Sequence, residues 1–130
     1  MSVKPTILSN IKAVHKASGG CNLDLAIFSE LKYELDQLSS FLGTTNIQSF
    51  FFAIIFAETL TQKSLDRADL VRHLGCEYLD YLEYEQELQR LFEKGFLTNV
   101  RSGRRGMDGL IHQEFALNNY IHSAIVSNKK

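Results

Sequence analysis

The chain has 130 residues, 22% of them charged, and a formal net charge of −1, enough length for one buried core and no bulk field to attract nucleic acid or an anionic membrane. Cys21 and Cys76 stand in no recognisable spacing, which fits reduced thiols better than a disulfide framework. The longest apolar run, residues 50–57, is far shorter than the roughly 20 residues a bilayer span needs, and no secretory signal opens the chain, so the expectation is a cytoplasmic protein with no membrane contact.

In chain order, Ile7, Ile11 and Val14 give residues 6–17 a weak helical period that Ser18-Gly19-Gly20 stops, predicting a short arm. Asn22 or Asp24 caps a helix running to about Leu42, with Leu25, Phe28, Leu31, Leu35, Leu38 and Leu42 forming one apolar stripe. That stripe either packs on the core or forms a dimer seam, which makes a homo-oligomer one reading of it. Gly43 ends this helix, and Thr45 with Gln48 forms a capping box for the next. Ile47, Phe50, Phe51, Ile54, Ile55 and Leu60 surround much of that helix and predict a central position.

Ser64-Leu65 is too short to read from pattern, although one bridging pair is usual before the turn motif, and Asp66 caps a helix over residues 67–74 whose Leu70, Val71 and Leu74 face inward. Gly75 supplies a left-handed turn into a long helix over residues 77–94, expected to bury Leu79, Leu82, Leu88, Leu91 and Phe92 and to end at Gly95. Residues 96–101 and 110–117 are β-type runs joined by a glycine-rich loop, and residues 120–126 suggest a last short helix. The order predicts a mainly α fold with a small β-hairpin, a winged helix-turn-helix over residues 45–117. An N-terminal arm and amphipathic helix over residues 1–44 extend it, and a short helix and tail over residues 118–130 are expected to continue into a further domain.

Charge argues against the usual task of that fold. A groove-reading helix normally carries lysine and arginine, whereas residues 77–94 hold Glu77, Asp80, Glu83, Glu85, Glu87 and Glu93 against Arg90 and Lys94. Tyr78, Tyr81 and Tyr84 rise along the same helix, and with Glu83 and Glu87 they are candidates for contact with a protein partner. Arg101, Arg104 and Arg105 on the wing, with Arg67 and Arg72, are the candidates for phosphate contact under the alternative of a DNA-binding regulator.

No phosphate-binding GxxxxGK[ST] loop and no nucleophile or HExxH signature occurs, so neither catalytic nor cofactor residues are expected. Gly103-Arg104-Arg105-Gly106 matches the GXXG loop of KH domains only formally, since it joins strands rather than helices. His73 and Cys76 straddle a turn without further zinc-spaced ligands, and His15, His112 and His122 are scattered, so no metal is expected.

Residues 64–76, Leu79 to Leu82, Leu88 to Leu91, Lys94-Gly95-Phe96-Leu97 and Phe115-Ala116-Leu117 followed by a short helix resemble the winged-helix region ahead of the ATPase module in a group of bacterial AAA-type ATPases. The resemblance covers about half the chain. It implies a non-catalytic accessory domain that contacts a protein partner or neighbouring subunit, with the ATP-binding module lying beyond Lys130.

Overall fold

The computed structural model describes residues 7–62, 64–100 and 114–126. Eight helices and two short strands lie among them: α1 (Ile7–Ser18), α2 (Ala26–Glu30), α3 (Lys32–Leu42), α4 (Asn46–Thr59), α5 (Arg67–Leu74), α6 (Tyr78–Leu82), α7 (Glu85–Glu93), β1 (Leu97–Asn99), β2 (Phe115–Leu117) and α8 (Asn119–Val126).

Helix α4 is the axis of the molecule. Every residue from Gln48 to Phe56 is buried, which is why its apolar residues run all round it. Thr45 and Gln48 close the capping box that starts it, and Gly43, at φ +73°, ends α3 in the left-handed conformation. Its outer end is wetter than expected, with Leu60 58% exposed.

Helices α1 and α3 pack against α4. Ile7, Ile11 and Val14 are buried in the common core, so the predicted N-terminal arm is instead an integral core helix. The reason is geometric: their spacing puts three apolar side chains on one face, and α4 supplies the surface that covers them. The amphipathic stripe of residues 25–42 also packs within the chain, through Leu31, Leu35, Leu38 and Leu42. It is divided at Leu31 (φ −100°, ψ 14°) into α2 and α3, and Ile27 rather than the exposed Leu25 points inward. No single helix among the described residues is long and apolar enough to cross a membrane, and α3 and α4 meet at 88°.

Asp66 caps α5 in a box closed by Asp69, and Gly75 (φ +73°) ends it. The loop after α1 covers this helix end, with Gly20 N donating to the His73 carbonyl at 2.8 Å and Asn22 N to the Leu74 carbonyl at 2.7 Å. Strands β1 and β2 pair antiparallel, with Leu97 opposite Leu117 and Asn99 opposite Phe115. Leu65 adds a bridge to Phe115 on the other side, donating and accepting at 2.8–3.0 Å. The hairpin expected from residues 96–117 is therefore present at its base, while its loop, with Arg101, Arg104 and Arg105, lies outside the described residues. Ile121 and Ile125 of α8 join the core.

Candidate functional site

The acidic helix expected over residues 77–94 is two helices, α6 and α7, separated at Glu83 and Tyr84. Its inward face also differs from expectation. Leu88 and Leu91 are buried and Phe92 packs on Phe115, but Leu79 and Leu82 are exposed at 73% and 38%. Within α6, Leu79 and Tyr81 are two residues and so about 200° apart, and a helix that buries the second exposes the first. Tyr81 takes the inward place, fully buried edge-on to Phe51 at 6.0 Å.

This separates the three tyrosines. Tyr81 is a core residue, so it is withdrawn as a partner contact. Tyr78 stacks on Tyr81 and is half-buried, and Tyr84, also half-buried, leans on Phe28 and Phe51. Glu83 is exposed, whereas Glu87 accepts from Gln48 Nε2 at 3.0 Å and is tied to α4.

The Tyr81 hydroxyl donates to Glu85 at 2.6 Å, in a buried cluster that also occupies Arg67. Arg67 is 1% exposed, makes a two-pronged pair with Glu85 and lies over the Phe115 ring at 5.5 Å. It is thus withdrawn as a phosphate contact, because its donors are committed inside the protein. Burial works against the Glu85 carboxylate, but hydrogen bonds from Arg67, Tyr81 and Gln89 outweigh it and hold its pKa below the ordinary value. Burial and the adjoining carboxylate push the Tyr81 phenol up. Arg72 does reach the surface, where it pairs with Asp69 at 2.8 Å.

What remains outward on α6 is an apolar and acidic surface. Beside it, Asn22, Leu23, Leu25, Asp80, Glu83 and Tyr84 line an open cleft of about 270 Å³. Asn22 and Leu23 both hold positive φ, 59° and 53°, in the loop that the Gly20 and Asn22 amides pin to the end of α5. Leu25, on the same rim, is 70% exposed.

A second cluster joins residues that the sequence leaves scattered. His15, Glu58 and His73 come together from α1, α4 and α5, with Glu58 Oε2 2.8 Å from His15 Nε2. Burial, with the nearby His15, lowers the His73 pKa against the pull of Glu58. No local motif could have shown this, since the hydrogen-bonded pair is 43 residues apart in sequence. Cys76 is not a member of this cluster. Burial raises the pKa of both Cys76 and Cys21, which are free thiols. His122 stacks on Phe56 at 5.3 Å, and His112 lies outside the described residues. No family model, curated protein or solved structure matches the chain.

Proposed function

We propose that this chain is a non-catalytic winged-helix interaction module whose α6 surface binds a basic surface on a protein partner or neighbouring subunit. The observation that carries this reading is the outward face of α6, where Leu79 is 73% exposed and Asp80 and Glu83 stand beside it. An apolar anchor flanked by carboxylates complements lysine and arginine around an apolar pocket, and it repels phosphates. The order of α4, the Leu65 bridge, α5, the Gly75 turn, α6 with α7, and the β1–β2 pair supports the winged-helix reading. An accessory role in an AAA-type ATPase is the wider setting that the sequence resemblance suggests, and a phosphate loop encoded beyond Lys130 would support it.

The competing reading, a DNA-binding regulator, retains Arg72 on the surface and the wing arginines Arg101, Arg104 and Arg105, but has lost Arg67 to the interior. Selection from a random duplex library at near-physiological salt separates the two. The interaction module retains duplexes weakly, without a consensus and with steep salt dependence. One preferred site bound at nanomolar affinity would replace it with the regulator.

A further inference from the structure

Away from the α6 surface, the last turns of three helices meet. His15 stands near the end of α1, Glu58 near the end of α4 and His73 near the end of α5. Helix C-termini are the negative ends of their helix dipoles, so a place where three of them gather favours a cation. Glu58 Oε2 is 2.8 Å from His15 Nε2 and 3.7 Å from His73 Nδ1, and the three donor atoms all lie within 4.8 Å of one another. A tetrahedral zinc with bonds of about 2.0–2.1 Å sets its ligands roughly 3.3 Å apart, a spacing these contacts straddle.

Neighbouring side chains orient the donors. Ser18 Oγ lies 3.0 Å from the His15 carbonyl and 2.8 Å from His73 Nε2, and with its one proton on the carbonyl it accepts from His73 Nε2. In that arrangement neutral His73 carries its proton on Nε2 and presents the Nδ1 lone pair on the side of Glu58, 3.7 Å from Oε2. Gln62 Nε2 donates to Glu58 Oε1 at 3.3 Å and leaves Oε2 to the cluster. Metal-bound histidines are commonly fixed in this way, through a hydrogen bond at the second ring nitrogen. The His15 and His73 rings stack at 4.7 Å with 11° between their planes, so their in-plane lone pairs converge only when one ring tilts. His15, 34% exposed against 15% for His73, has the room to do so.

We propose that His15, Glu58 and His73 bind a divalent first-row cation of the zinc class, with Ser18 and Gln62 as positioning residues. Two imidazoles and one carboxylate suit zinc, whereas magnesium and calcium prefer oxygen shells. Three protein ligands leave a fourth position for water. Bound there, the ion ties α1 to α4 and α5.

Calorimetric titration of the whole chain with zinc, and visible absorption on titration with cobalt(II), test the site. The expected result is saturable micromolar or tighter binding of a single ion that excess magnesium does not displace. His15→Gln and Glu58→Gln should each weaken zinc binding at least about tenfold, and Ser18→Ala by about 10- to 100-fold, with circular dichroism showing that each variant keeps its helices. Cys21→Ser and Cys76→Ser should leave binding intact. Absence of saturable micromolar binding, binding by a folded His15→Gln equal to the parent's, or loss of binding on removing the cysteines would each overturn the proposal.

Discussion

Arg67 and Glu85 meet in a two-pronged pair, Nε to Oε1 and Nη2 to Oε2, each at 2.9 Å. Arg67 opens α5 and Glu85 opens α7, so the pair fixes these two helices against one another. Tyr81 and Gln89, each at 2.6 Å, add donors to the same carboxylate. Water is largely excluded, with Arg67 1% exposed and Glu85 18%, so these contacts replace the hydration both charges lose on folding.

Removing either partner should therefore be costly, because the other stays buried without its counter-charge. Arg67→Ala and Glu85→Ala are each expected to lower stability in urea by about 3–5 kcal/mol, while the joint Arg67→Met, Glu85→Leu replacement should recover most of the loss. Single-variant losses below about 1 kcal/mol, the range of exposed pairs, would show that the pair is not buried in solution.

The same carboxylate sets an acid limit. Its folded pKa is depressed from 4.5, so its stabilisation is fully present above that value and is lost as pH falls through the lower folded value. An acid titration followed by circular dichroism should show the parent losing stability below about pH 4.5, and Glu85→Gln should flatten that part of the curve. An unchanged slope in the variant would remove Glu85 from the explanation.

Local signals carry far in this chain, and distant partnerships do not. Thr45 with Gln48, Asp66, Gly43, Gly75 and Gly95 mark helix boundaries from sequence because caps and left-handed stops involve neighbours only a few residues apart. The inward face of residues 77–94 is harder to read, since Leu79 and Leu82 suggest one stripe with Leu88 and Leu91, whereas the break at Glu83 and Tyr84 lets α6 turn Tyr81 inward. Burial of Arg67 depends on Glu85, 18 residues away, and an isolated arginine at a helix start looks like a surface residue. His15 gains meaning only when the fold brings Glu58 and His73 to it.

Two glycines with the same backbone should respond differently to a methyl group. Gly43 and Gly75 both hold φ +73°, but a Cβ at Gly43 meets open space, whereas one at Gly75 lies 3.2 Å from Gly20 Cα. Gly43→Ala should cost about 1–2 kcal/mol for the left-handed conformation alone. Gly75→Ala should cost more, because backbone must shift to admit it. Thermal melts of the two variants side by side are the check, and equal losses would mean that the loop after α1 does not seat on the end of α5.

The most direct test of the proposed interaction surface is photo-crosslinking inside the cell from a photoreactive amino acid at Leu79, where 73% exposure keeps the fold undisturbed. The interaction-module account predicts one discrete protein adduct from position 79, suppressed when Glu83→Lys is added and unaffected by changes at the buried Tyr81–Glu85 contact that leave the domain folded. If position 79 yields no protein adduct, or an adduct that Glu83→Lys strengthens, the account of α6 as an acidic docking surface is wrong.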